Sequence, residues 1–141
     1  MKTLTTLTAA VLIFLSFSAF ASKGLETERF KMDYTIQTYI DAICNGESTR
    51  FSDVIDNDAR FVISRGNTIV NYTKSDMIGW MKFNKAVKQN CNTDFKLIEQ
   101  TLDQAIVKVT MKYETFSRVN FVTVANTSNG WKITNVSSSF Q

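Results

Sequence analysis

The sequence predicts an α+β domain, with helices gathered early and an antiparallel meander filling the second half. Three observations carry this. Met32, Ile36, Tyr39, Ile40 and Ile43 recur at three- and four-residue steps, one apolar stripe along a helix. From Asp94 onward the apolar segments are short and bounded by polar turns. Among them, Val107, Val109, Met111 and Tyr113 alternate with Lys108, Thr110, Lys112 and Glu114, the two-residue period of a half-buried strand. Helices segregated from strands in this way argue against the alternating order of a parallel sheet.

The N-terminus sets the expected compartment. Lys2 gives a positive start, Leu4 to Phe20 is apolar apart from small Ser and Thr residues, and Ala19-Phe20-Ala21 is a small-x-small cleavage site. Residues 1–21 therefore read as a cleaved signal peptide, and residues 22–141 as a single domain exported to the periplasm or secreted. The alternative is a retained anchor. Its richly apolar part, Ala9 to Phe20, falls short of the roughly 20 residues that a span needs. No second long apolar run follows, so no stable membrane insertion is expected after cleavage. Lys2 is the only charged residue in the first 21, which leaves 15 basic and 13 acidic side chains. A balance so mild lacks the basic stripe of a nucleic-acid partner.

The stripe predicts a first helix from about Glu26 to Asn45, with Asn45-Gly46 as its left-handed stop. Phe51, Val54 and Ile55 suggest a short second helix, and Asp56-Asn57-Asp58 a turn. Phe61 to Ser64 and Thr68 to Tyr72 read as a hairpin around Gly66-Asn67. Thr73 and Asp76 stand at capping-box spacing. They open a third helix from about Lys74 to Gln89, with Met77, Trp80, Met81 and Val87 facing inward. The strands expected after it are Asp94 to Leu102, Ala105 to Thr115, Arg118 to Ala125 and Trp131 to Phe140. Asn129-Gly130 is a two-residue hairpin signal before the last.

Cys44 and Cys91 are the only cysteines. In an oxidising compartment they form one disulfide or remain two buried thiols, and spacing alone leaves both open.

Acid–base chemistry has few candidates. The chain has no His, which removes the usual proton shuttle near neutral pH. A base would be an Asp or Glu of raised pKa aided by a Tyr. Glu114 points away from Tyr113, and Asp94 and Glu99 have opposite strand parity, so no carboxylate pair shares a face. Asp56-Asn57-Asp58 begins like a calcium loop, but Arg60 stands where the next oxygen ligand belongs. With no zinc ligand set and no Gly-rich phosphate loop, neither metal nor cofactor is expected. Lys82, Lys85 and Lys88 make a loose basic edge, read as a solvated helix face or an anionic docking edge.

Three stretches carry a family resemblance. Tyr39-Ile40-Asp41-Ala42-Ile43-Cys44-Asn45-Gly46 is similar to the first-helix ending of the nuclear transport factor 2-like superfamily. Asp58-Ala59-Arg60-Phe61 is similar to its lead into the first strand. Asn120-Phe121-Val122-Thr123-Val124 with Gly130-Trp131-Lys132-Ile133-Thr134-Asn135 resembles the closing hairpin of its SnoaL-like branch called "putative lumazine-binding". Two positions depart from the pattern: Asn120 stands where an acid is expected, and Ser137 follows Asn135 where Lys is common. The resemblance implies a cone, with N-terminal helices packed on a strongly curved mixed or antiparallel sheet around an apolar pocket. The lining it implies is Tyr39, Trp80, Met111, Tyr113, Trp131 and Asn135, although the same aromatic and Met side chains would serve as plain core.

The functional expectation is an exported, non-catalytic module that binds a small apolar ligand or dimerises. The homodimer would form through the outer sheet face around Val119, Phe121 and Phe140. The alternative is an isomerase-, dehydratase- or cyclase-type enzyme using a pocket carboxylate and a Tyr.

Overall fold

The computed structural model describes residues 31–84 and 87–141. The expected signal peptide and the start of the first helix lie outside the described residues. Helix α1 is described from residue 31 to 40 and continues as a π-helical turn over Asp41–Asn45. Its apolar stripe is buried throughout, from Met32 to Ile43. Gly46 closes it at φ 73°, and its N–H donates to the Asp41 carbonyl, a left-handed stop that a residue without Cβ adopts freely. A 3-10 segment, Ser48–Val54, follows and buries Phe51 and Val54.

The described strands are β1 (Ile55–Arg65), β2 (Thr68–Thr73), β3 (Asn92–Gln100), β4 (Gln104–Lys112), β5 (Ser117–Thr127) and β6 (Gly130–Phe140), with α2 (Lys74–Phe83) between β2 and β3. They form one sheet in the order β2-β1-β6-β5-β4-β3. β1 and β6 run parallel, and the other neighbours are antiparallel. The sheet is therefore mixed, and with its packed helices it makes the α+β cone of the nuclear transport factor 2-like fold. α1 docks on the sheet through its apolar stripe. Its Thr35 hydroxyl also donates to the Trp131 carbonyl of β6 at 3.0 Å.

Three local expectations need correction. Asp56-Asn57-Asp58 lies inside β1 rather than in a free turn. Register between β1 and β6 jumps from Ile55/Ile133 to Arg60/Asn135, so the polar triplet is taken up as a bulge. Within it the Asp58 N–H donates to Asp56 Oδ1 at 3.0 Å, and Lys74 Nζ donates to the Ile55 carbonyl at 2.7 Å. Second, α2 ends at Phe83 and not near Gln89. Asn84 leaves helical geometry, and both its N–H and its Nδ2 donate to the Trp80 carbonyl. Val87 consequently stands exposed, and Trp80 is 49% exposed, while Met77 and Met81 face the core.

Third, one of the three residues expected on the outer sheet face stands on the inner one. Val119 is buried, at 3% exposure. Phe140 pairs with Arg118 across β5 and β6 and so belongs to the inner face. Phe121, 44% exposed, and Val119 both lie on the outer face by register, as expected. Around Phe121 the outer face carries Lys108, Thr123, Asn135 and Ser137 together with Ile106 and Val62.

Candidate functional site

The inner face of the sheet is a lattice of cross-strand rows. One row runs Val107, Val122, Val136, Phe61 and Tyr72; the next runs Val109, Asn120, Ser138, Ile63 and Val70; the last holds Met111, Arg118 and Phe140. The first row is mostly apolar. The second and third place an Asn, a Ser and an Arg side by side in the middle of the sheet.

These three side chains form a closed network. Asn120 is 0% exposed. Its Oδ1 accepts from Arg118 Nε at 3.0 Å and from Ser138 Oγ at 2.6 Å, and Ser138 Oγ accepts from Arg118 Nη2 at 3.2 Å. Arg118 can only donate, which fixes the orientation of the Asn120 amide. Asn120 Nδ2 is left buried without a partner among the described residues, as is the Tyr39 hydroxyl. Burial pushes the Tyr39 hydroxyl pKa up, against the opposing pull of the nearby Arg118 charge.

Arg118 reaches from this network into a cleft of about 200 Å³ lined by Ile43 of α1's π-turn, Ile63 and Arg65 of β1, Tyr72 of β2, and Met77 and Trp80 of α2. It has an apolar body with a few polar groups converging on it, the ordinary make-up of a small-molecule site. A larger hollow of about 610 Å³ lies on the other side of α1, lined by Tyr34, Thr38, Asp41, Glu47 and Arg50. That trough is polar and charged, and part of it is already closed by the Tyr34–Arg50 hydrogen bond of 2.9 Å. The smaller cleft is the better candidate because it alone combines apolar walls with a guanidinium held from behind.

The structure distributes the expected lining residues unevenly. Trp80 lines the cleft. Tyr39, Met111 and Trp131 are core side chains, with Tyr39 6.4 Å from Phe51 ring to ring. Tyr113 is half-buried, donates to Gln89 Oε1 and stacks on Phe116 at 4.4 Å; burial raises its pKa. Asn135 faces outward. A bulge at Thr134 shifts register between Thr123/Asn135 and Val124/Ile133, so Val136 takes the inward place that plain alternation would give Asn135. Arg65, Arg118, Asn120 and Ser138 join Trp80 at the site, beyond the residues the sequence points to. The signal was available: Arg118 and Asn120 keep step with Val122 and Val124, and Arg65 with Phe61 and Ile63.

Cys44 and Cys91 are joined in a disulfide. It ties the end of α1 to the segment before β3, where the Gln89 N–H also donates to the Cys44 carbonyl at 2.7 Å.

The carboxylates lie elsewhere. A register shift between Leu97 and Glu99 puts Glu99 opposite Ile106, so Asp94 and Glu99 share the outer face after all, contrary to their parity in sequence. Both are exposed. No Asp or Glu lines the cleft, and none is buried among the described residues. Nor do three or more His, Cys, Asp or Glu side chains gather there in a metal-holding group, and no described helix is long and apolar enough to cross a membrane.

A helix held on a mixed sheet, with a small cleft between helices and strands, defines a nuclear transport factor 2-like protein. Residues 28–140 match the family described as "Putative lumazine-binding", and the chain belongs to that family. Among solved structures, it is similar to a nuclear transport factor 2-like protein of unknown function from Methylobacillus flagellatus, with a TM-score of 0.68 at 16% identity over 82% of this chain and 93% of that one. A counterpart from Silicibacter pomeroyi gives 0.66 at 14% identity over 83% and 97%. A ketosteroid isomerase-like protein from Erwinia carotovora atroseptica gives 0.57 at 12% identity over 77% and 92%. Such identities speak to the fold alone. No curated protein matches.

Proposed function

We propose that this protein is an exported, non-catalytic module that binds a small molecule in the cleft between α1, α2 and the β1–β2 hairpin. The observation that carries the reading is the cleft itself: apolar walls, a buried polar network behind one wall, and no carboxylate among its lining residues. Its volume, about 200 Å³, lies below the roughly 300–1,000 Å³ of drug-sized sites, so the fitting ligand is compact. General acid–base catalysis of the isomerase or dehydratase kind needs a titratable group near neutral pH at the reacting atom. The lining offers two guanidiniums, a phenol, an indole and aliphatic chains instead. Export is supported by the N-terminal signal-peptide pattern and by the Cys44–Cys91 bond, since disulfides persist in oxidising compartments.

Native mass spectrometry of the full chain taken from its host's export compartment tests this. The expected result is a mass shortened by 21 residues with a co-purified small molecule that departs when Trp80 is changed to Ala. An uncleaved chain, or a released species chemically transformed by the protein, overturns the reading.

A further inference from the structure

We infer that the cleft takes its ligand by a negatively charged head, the carboxylate of a small organic acid, gripped by Arg118 and Arg65. This rests on the binding-module reading and narrows it to a chemical class.

Two guanidiniums line one small cleft, and each also lies against the ring of Phe140, whose strand β6 runs between theirs. Arg65 Cζ lies 5.1 Å and Arg118 Cζ 5.9 Å from the centroid of Phe140, and both line the cleft. Like charges lining one small cleft repel, the less so when an anion or solvent lies between them. Neither arginine forms an ion pair with a carboxylate among the described residues. No Asp or Glu among the cleft's lining residues offsets that positive charge.

Arg118 is also oriented in advance. Its Nε and one N–H of Nη2 are occupied by Asn120 and Ser138. Of the five N–H groups of a guanidinium, three remain. Those on Nη1 and the outer edge of Nη2 form the end-on pair that holds a carboxylate through two parallel bonds. Asn120 and Ser138 act as positioning residues: both are buried, and both fix the rotamer of the charged fork rather than meeting the ligand. Ile43, Ile63 and Met77 supply the apolar part of the lining, and Trp80 and Tyr72 supply flat faces for a ring or short chain. The site thus fits a compact amphipathic acid, its head at the arginines of β1 and β5 and its body against the apolar and aromatic lining.

The test uses matched pairs of probes on the full, isotope-labelled chain. Phenylacetate, indole-3-acetate and hexanoate are titrated against their neutral primary amides, with amide and arginine Nε–H resonances followed by NMR. The acids should bind roughly tenfold or more tightly than the amides, the gain expected of charge-assisted bonds. Binding should shift the Arg118 Nε–H resonance and weaken as salt is added. Arg65→Met, at an exposed side chain, should lose about tenfold in acid affinity and nothing in amide affinity. Arg118→Lys should lose part of the preference for acids while keeping the charge; if Arg118 variants fail to fold, Arg65→Met and the salt dependence decide. Equal binding of acids and amides overturns the anionic head while leaving the binding module standing. Failure of all six probes at millimolar concentration overturns both.

Discussion

Asn120 and Ser138 face each other across β5 and β6, and the Ser138 hydroxyl donates to Asn120 Oδ1 at 2.6 Å while the same oxygen accepts from Arg118. One buried carbonyl oxygen thus serves two donors. Asn120→Ala should therefore cost more than Ser138→Ala. The first strands both the Arg118 Nε–H and the Ser138 hydroxyl and opens a void, for about 2–4 kcal/mol. The second deletes a donor and one acceptor of Arg118, for about 1 kcal/mol. Urea unfolding of the two variants and their double mutant checks this. The double mutant should fall short of the sum, because the two side chains share one network.

Tyr39 tells the opposite story. Its ring is fully buried beside Phe51, but its hydroxyl has no partner among the described residues. A buried, unmet hydroxyl is a cost. Tyr39→Phe should leave stability unchanged or raise it by up to about 2 kcal/mol. The pH dependence follows from burial raising the Tyr39 pKa in the folded state. Stability from the neutral phenol is complete below the ordinary tyrosine value of about 10 and is lost as pH rises through the higher folded value. Tyr39→Phe should lack that alkaline component in thermal unfolding followed by circular dichroism.

Much of this molecule was legible in residue order, for reasons that separate what was read from what was missed. The α1 stripe from Met32 to Ile43 and the β4 alternation of Val107, Val109 and Met111 repeat over enough positions to fix both element and buried face. The same rule failed wherever one extra residue entered a strand. The bulge at Thr134 turned Asn135 outward, and the one between Leu97 and Glu99 put Asp94 and Glu99 on a common face. A bulge depends on the partner strand, so a single strand's pattern does not display it. The end of α2 was misplaced because apolar Val87 extends the helical pattern, whereas the Asn84 cap depends on a backbone turn. Arg118 and Arg65 were passed over for a different reason. A charged residue near a strand end ordinarily faces water, and only the spatial meeting of β1, β5 and β6 at Phe140 makes them a pair.

Asp76 makes α2 sensitive to acid. Its carboxylate accepts from the Thr73 N–H at 2.8 Å and from the Thr73 hydroxyl at 2.7 Å, while that hydroxyl accepts from the Asp76 N–H at 3.2 Å. These bonds, the backbone one foremost, hold the Asp76 pKa below its ordinary value. A group whose pKa is depressed on folding stabilises the fold above its unfolded pKa, and that contribution is lost as pH falls through the folded one. Asp76→Asn should therefore lower the unfolding midpoint at neutral pH. The gap from wild type should narrow steadily below about pH 4, near the unfolded carboxylate value. A gap independent of pH would show that the capping carboxylate's charge is immaterial.

The Cys44–Cys91 bond acts on the unfolded chain as much as on the folded one. The bridged residues are 47 apart in sequence. Chain-entropy reasoning for a loop of that length gives about 4 kcal/mol of stabilisation as an upper figure. In the folded state the bond sits beside Ile43, a wall of the cleft, and next to the hydrogen bond from the Gln89 N–H to the Cys44 carbonyl. Those contacts, with the buried stripe of α1, should keep the reduced protein folded. Cys44→Ala with Cys91→Ala should then lower the urea midpoint and raise the dependence of stability on urea, because an unbridged chain exposes more surface when it unfolds. If the loss came instead from strain or packing around α1, the midpoint would fall with no change in that slope. Equilibrium unfolding of the oxidised, reduced and double-Ala forms separates the two, and the reduced and double-Ala forms should agree.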